Sequence, residues 1–295
     1  MSPERDHAAA WLNAVRRLDF DAAWQIADAV LAERIVAGPC WQLPRHEQWI
    51  WDGRSLTNQR VLLRCYHGLG DTIQFARFLP RLQRIARDVT VWVQPTLIPL
   101  LQTFPGIRLL PLHDGTPEVT YDVDVEIMEL AHALRVTVDT LPPVPYLSVP
   151  PAIRPADEFS VGLMCQSGDW DPRRSVPPDV LLSGLSGLTG VRLFSLQPGA
   201  PLPGCVDASA TDMLTLASRL RVLDLVITVD TMVAHLAGAL GVRTWTLLPH
   251  DADWRWLADR VDSPWYPTMR LFRQPTAGDW QAVVRQVGEA IACER

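Results

Sequence analysis

The chain has 295 residues, 48% of them hydrophobic, and a formal net charge of −6. That length can bury two ordinary cores, and the negative balance excludes general nucleic-acid binding, which needs a basic footprint. Five scattered cysteines (Cys40, Cys65, Cys165, Cys205, Cys293) show no paired spacing, so neither a zinc site nor a disulfide framework is expected and a reducing cytoplasm fits. The N-terminal MSPERDHAAAWLNAVRRLDF is too charged and interrupted for a signal peptide. No apolar run reaches membrane-spanning length, which leaves peripheral contact as the expected way of meeting a membrane.

Residues 1–48 read as a helical extension. Two short helices lie between His7 and Val36, one with an apolar stripe of Trp11, Val15 and Leu18, the other with Trp24, Ile26, Ala27, Val30 and Leu31. One such unit is not a repeat array, which needs neighbours to bury its faces, so a helical pair packed on the next domain is expected. Gly38-Pro39 and Pro44 end the pattern. A first α/β domain follows over 49–141, with Val61-Leu62-Leu63 as a strand, Gly68-Leu69-Gly70-Asp71 as a turn and Thr72 to Arg87 as an amphipathic helix. Val89 to Val93 is then a strand, Leu97 to Phe104 a helix and Ile107 to Leu110 a strand. The acidic stretch HDGTPEVTYDVDVEIMELAH carries no motif and suits a neutral or cationic ligand better than a phosphorylated one. Residues 142–155 are proline-rich and read as a stiff connector.

The alternation resumes over 156–275. Phe159 to Cys165, Val191 to Leu196, Leu225 to Val229 and Arg243 to Leu248 read as strands. Asp179 to Leu185, about Asp212 to Leu220, and the run ending at Leu240 before Gly241 read as helices. A last helix, Asp279 to Ala292, lies in 276–295. Strands alternating with helices imply parallel sheets with right-handed crossovers. Twelve tryptophans are a heavy load, and those of Asp253 to Pro267 sit among prolines and charges as mostly structural residues.

Three segments carry chemistry. In DLVITVDTMVAHLAGALG, a buried strand runs into Asp230-Thr231 and then a helix on which Thr231, His235 and Gly238 share one face. Free amides and the helix dipole favour an anion there, and Gly238 lets a ligand or a neighbour come close. A helix capped by Asp230 with a core His235 fits the same residues. In HGLGDTIQF, Asp71 is either a base beside a glycine turn or a helix cap, and capping would lower its pKa. In DWDPRRSVP, Arg173 and Arg174 are either phosphate ligands or part of a solvated loop. No Asp, Glu or His set has metal-ligand spacing, so no metal is expected.

Together HGLGDTIQF, VDTMVAHLAGALG and DSPWYPTMRLFRQ resemble the family 9 glycosyltransferases, the ADP-heptose:lipopolysaccharide heptosyltransferase superfamily, and most of all the branch whose module often follows tetratricopeptide repeats. The resemblance runs from about Gln48 to the C-terminus. It implies a GT-B architecture: two Rossmann-like parallel-sheet domains facing a cleft, the acceptor on the first, the nucleotide sugar on the second, and the last helix returning to the first domain. It implies an inverting, metal-independent single displacement from a nucleoside diphosphate donor, ADP-heptose by family default, with no cofactor and with a glycan, lipid-linked glycan or protein as acceptor. By this likeness Asp71 is the base and His67 a second candidate. Arg174, Arg173, Asp230, Thr231, Met232 and His235 hold the diphosphate, and Gln197, Gly70 and Asp253 touch nucleoside or sugar. Two departures stand out: Tyr66-His67 replaces an acidic or amide pair, and the arginine segment is shorter than in relatives. They leave room for a degenerate, non-catalytic module that binds nucleotide or sugar. A sugar-nucleotide epimerase needs acid–base groups on both faces of a ring, and the sequence shows half of such a set.

Overall fold

A computed structural model describes residues 3–154 and 158–293. Of the expected boundary segments, Pro155, Ala156 and Asp157 lie outside the described residues, as do Met1, Ser2, Glu294 and Arg295. The chain forms two units, Met1–Pro143 and Val144–Arg295.

The first unit contains α1 (Pro3–Arg16), α2 (Phe20–Ala37), β1 (Arg60–Arg64), α3 (Leu69–Ala76), α4 (Leu79–Ile85), β2 (Asp88–Val93), α5 (Ile98–Leu101), β3 (Arg108–Pro111), β4 (Val123–Glu126) and α6 (Leu130–Ala133). Its sheet is parallel throughout, in the order β3-β2-β1-β4. The helix expected from Thr72 to Arg87 is two helices, because Pro80 has no N–H to close on the Ala76 carbonyl and the Phe78 amide turns back to Phe75 instead. β4 was not expected, since its buried Val123 and Val125 alternate with acids. Those acids are used inside the unit. The Arg60 guanidinium donates to Asp122, holding that carboxyl down at about 2, and Arg64 pairs with Asp124 at 2.7 Å. This acidic stretch is therefore not simply a charged surface awaiting an acceptor.

The N-terminal helices are part of this unit. Trp24 donates its indole N–H to the Val136 carbonyl at 2.6 Å. Asp28 takes bonds from His132 at 2.9 Å and Arg135 at 2.7 Å. Glu129, at the head of α6, accepts amide N–H bonds from Ile50 (3.1 Å), Trp51 (2.9 Å) and Glu126 (3.0 Å). It thereby ties the segment before β1 to the end of β4.

The second unit opens with an extended strap. The Tyr146 and Leu147 amides bond the Ala239 carbonyl, the Ala152 amide bonds Ser218, and Arg221 donates to Val149, while Leu147 and Val149 are buried. Between Tyr146 and Ala152 the expected connector is thus tethered to the second unit. Then come β5 (Phe159–Met164), α7 (Pro178–Leu185), β6 (Val191–Ser195), β7 (Val206–Asp207), α8 (Met213–Leu220), β8 (Leu225–Val229), α9 (Met232–Ala239), β9 (Thr244–Leu248), β10 (Met269–Arg273) and α10 (Trp280–Cys293). The sheet is again parallel, in the order β10-β9-β8-β5-β6-β7. β8 and β9 are buried along their whole length, as parallel strands covered on both faces must be.

Within the second unit the apolar face of α10 lies in the core, where Trp280, Val283, Val284, Val287 and Ile291 join Val161, Leu181 and Phe272. α10 meets α7 at two glycines: a Cβ on Gly288 would sit 2.4 Å from the Gly184 carbonyl oxygen. Among the described residues no helix is long and apolar enough to cross a membrane.

Two outcomes follow. Gly288→Val forces α10 off α7 and lowers stability by about 1–3 kcal/mol, read as a lower urea midpoint; an unchanged midpoint would show that the helix contact is slack. The second concerns pH. Burial pushes the Glu129 carboxyl up to about 7 from an ordinary 4.5, with its amide donors offsetting only part of the rise. Because the folded value is raised, the fold favours the protonated form. That contribution is complete below the unfolded value and is lost as pH rises through about 7. Unfolding free energy of the wild type falls over this window by on the order of 3 kcal/mol at most, and Glu129→Gln flattens the fall. A pH dependence identical in both proteins would rule the account out.

Candidate functional site

In a parallel sheet every carboxyl end lies on the same edge, and in each unit that edge gathers the residues of interest. In the second unit β8 leaves the core at Val229, and Thr231, not Asp230, caps α9: its Oγ1 accepts the Val233 amide at 3.2 Å. The Thr228 and Thr231 hydroxyls lie 3.3 Å apart. Met232 opens the helix, half-buried like Thr231. After β5, a single 3-10 turn, Pro172–Arg174, is capped by Asp171. This turn directs Arg174 to the end of β8, where its Nη1 donates to the Asp230 carbonyl at 2.9 Å and lies 3.8 Å from the Asp230 carboxylate. Burial and the charge of Asp253 push the Asp230 carboxyl up, and the Arg174 guanidinium opposes them. A fixed guanidinium beside a helix start is a place for an anion.

The other expected ligands fall differently. Arg173 turns away from Asp230, forks onto its own Asp171 with two bonds of 2.8 Å and is 74% exposed at the side chain. His235 is buried: its Nδ1 lies 3.0 Å from the Tyr266 hydroxyl and its ring stacks on Trp256, with centroids 5.3 Å apart. Gly238 admits Tyr266, since a Cβ there would lie 2.4 Å from the phenol ring. The shared helical face of His235 and Gly238 therefore packs on Tyr266 and Trp256, and the close approach that Gly238 allows is that of a neighbouring side chain. Gln197 is buried and joins the ends of β5 and β6, its Oε1 accepting the Gln166 amide at 3.2 Å. Beside it a hollow of about 310 Å³ is lined by Pro198, Gly199, Ser209, Thr211, Asp212 and Arg219. Asp253 caps the turn Trp254–Trp256 and pairs with Arg255 at 2.8 Å.

In the first unit β1 ends at Arg64 and the chain passes through Cys65, Tyr66 and His67 to α3. Gly68 is the cap residue of α3, Gly70 lies in its first turn, and Asp71 reaches back so that its Oδ2 accepts the Gly68 amide at 3.0 Å. Asp71 is thus half-buried and in the capping arrangement, one turn inside the helix. His67 is held by Gln94, whose Nε2 donates to its carbonyl at 2.7 Å, while the Thr72 hydroxyl donates to Gln94 at 3.2 Å. Beneath it lies Glu126, only 1% exposed. Its Oε1 lies 3.0 Å from His67 Nδ1 and accepts the Tyr66 amide at 3.0 Å, and its Oε2 accepts the Met128 amide at 2.6 Å. Sequence reasoning missed Glu126, because nothing in the chain order announces that β4 lies beside β1.

No protein-family profile matches the chain. Protein FlbA of Caulobacter vibrioides (strain ATCC 19089 / CIP 103742 / CB 15) is 24% identical over 313 residues, covering 91% of this chain and 52% of FlbA, so the chain spans about half the length of that relative. Among solved structures, the family 9 glycosyl transferase from Veillonella parvula DSM 2008 aligns with a TM-score of 0.56 at 13% identity, over 81% of this chain and 91% of that one. The iron-containing dodecameric glycosyltransferase TibC from enterotoxigenic E. coli H10407 gives 0.57 at 14%, over 81% and 76%. E. coli heptosyltransferase WaaC with ADP gives 0.53 at 15%, over 79% and 98%. At these identities the likeness is one of fold, and the chain has the GT-B fold of the family 9 glycosyltransferases.

Proposed function

We propose that this chain is an inverting glycosyltransferase that moves a sugar from a nucleoside diphosphate to a hydroxyl of a glycan, lipid-linked glycan or protein. The observation that carries the reading is Arg174, fixed on the Asp230 carbonyl beside the Thr231-capped start of α9. Transfer builds negative charge on the departing diphosphate, and a guanidinium with helix amides already in place lowers that barrier without reorganising. Two solved relatives point to the donor: TibC was crystallised with ADP-D-beta-D-heptose, and WaaC with ADP and an ADP-linked fluoro-heptose. ADP-heptose is therefore the donor we assign, with its nucleoside in the hollow beside Gln197. Arg174 and the helix start take the neutralising role at the departing diphosphate. Asp71 is the base that the family likeness offers, with His67 the second candidate, and the bond from the Gly68 amide fixes Asp71 in place.

A second reading has an observation of its own. His235 faces the core and Arg173 is tied to Asp171, so the anion site is thinner than the motif promised. A degenerate module that binds nucleotide without transferring sugar fits that site too.

Thermal melts with ADP, UDP, GDP and CDP separate these readings. ADP at a hundredfold excess over its dissociation constant adds about 2.7 kcal/mol, and Arg174→Ala abolishes the shift. Silence toward all four nucleotides removes the donor site and the proposal with it. In the same protein Asp71→Asn keeps the ADP shift, and a base at Asp71 requires that it lose about 10²–10⁴-fold in ADP release from ADP-heptose. Near-normal turnover in that variant would dismiss Asp71 as the base, and ADP binding without turnover in wild type would favour the degenerate module.

A further inference from the structure

The pair beneath Tyr66-His67 has a geometry that the motif does not account for. Glu126 ends β4 directly beside the end of β1, is 1% exposed, and has each oxygen fixed by an amide, Tyr66 on one and Met128 on the other. A carboxylate so buried is costly unless a positive or donating group meets it. The nearby arginine, Arg64, is turned to Asp124 instead. His67 Nδ1 meets Glu126, 3.0 Å from its Oε1, while the His67 side chain keeps 29% of its surface exposed.

We propose that Glu126 is a positioning residue for His67, and that the two form a carboxylate–imidazole dyad which receives the acceptor's proton. The inference rests on the glycosyltransferase reading and assigns that proton to His67 in place of Asp71. A carboxylate 3.0 Å from Nδ1 stabilises the imidazolium once formed, and the acceptor's proton is placed on Nε2. The Gln94 bond to the His67 carbonyl and the Thr72 bond to Gln94 hold the main chain while the carboxylate holds the ring. In the step itself the acceptor hydroxyl gives its proton to Nε2. Its oxygen forms the new bond to the anomeric carbon, and the bond from that carbon to the diphosphate breaks with its electrons on the leaving nucleotide. The positive charge then rests on His67 against Glu126, and the negative charge on the departing diphosphate. Asp71 remains the residue that holds the Gly68 turn.

The test begins without a substrate. Histidine-labelled protein is titrated by ¹⁵N NMR as wild type and Glu126→Gln, with His67→Asn to assign the signal. His67 is expected in the Nδ1–H tautomer, and Glu126→Gln lowers its midpoint by about one pH unit or more. The other titratable groups around it are Cys65 and Tyr66 on the β1 end, Asp71 on α3, and Glu129 behind Glu126, so each variant is checked for an unchanged Asp71 and Glu129 response. A second arm follows ADP release from ADP-heptose, with water as the acceptor hydroxyl. Glu126→Gln lowers kcat roughly tenfold or more with KM unchanged, and the acid limb of its pH–rate profile moves with the NMR midpoint. His67→Asn loses that limb. A midpoint indifferent to Glu126→Gln overturns the dyad, and an acid limb that survives His67→Asn overturns His67 as proton acceptor. Wild type that neither binds nor releases ADP would sink the glycosyltransferase reading, an outcome the NMR arm distinguishes from a failed dyad.

Discussion

Everything at the candidate site depends on parallel pairing. Because β1 lies between β2 and β4, and β8 between β9 and β5, each sheet delivers its carboxyl ends to one edge with backbone groups still to be satisfied. Loops that fill that requirement carry the polar residues, while the strands behind them are apolar on both faces. The same pairing fixes which residues become neighbours. Glu126 meets His67 because β4 runs beside β1 in register, and Arg174 meets Asp230 because β5 runs beside β8.

The second theme is how carboxylates are kept where water is scarce. Asp230 is buried with Arg174 and the charge of Asp253 acting on it in opposite senses. Glu129 collects three amides, Glu126 two amides and an imidazole. Hydrogen bonding and pairing offset desolvation differently at each position. Glu126 and Glu129 thus stand three residues apart in the first unit with different sets of partners, while Asp230 is held by a different arrangement in the second.

Much of the fold was legible because buried parallel strands are long runs of Val, Ile and Leu. β1, β2, β5, β6, β8 and β9 all lie where the pattern put them, give or take an end residue. β4 escaped because Asp122, Asp124 and Glu126 look like a surface stretch until their partners are known. β10 escaped because Arg270 and Arg273 interrupt it inside a tryptophan-rich run. Helical periodicity established that His235 and Gly238 share a face. It could not show which way that face looks, since Tyr266 and Trp256 come from another part of the chain. That Arg174 and Thr231 follow strands was readable; that Glu126 lies beside His67 was not, because strand order is absent from linear sequence.

Gly238, Tyr266 and His235 have one further consequence, for how sequences of this kind can change. A side chain at position 238 has no room unless the phenol of Tyr266 leaves, and its departure takes the hydroxyl from His235 and uncovers a ring otherwise stacked on Trp256. The three positions therefore behave as one inherited unit. Substitution at any one of them is admissible only with compensation at the others, and a lineage that keeps the glycine has reason to keep the tyrosine and the histidine whether or not either ever meets a nucleotide.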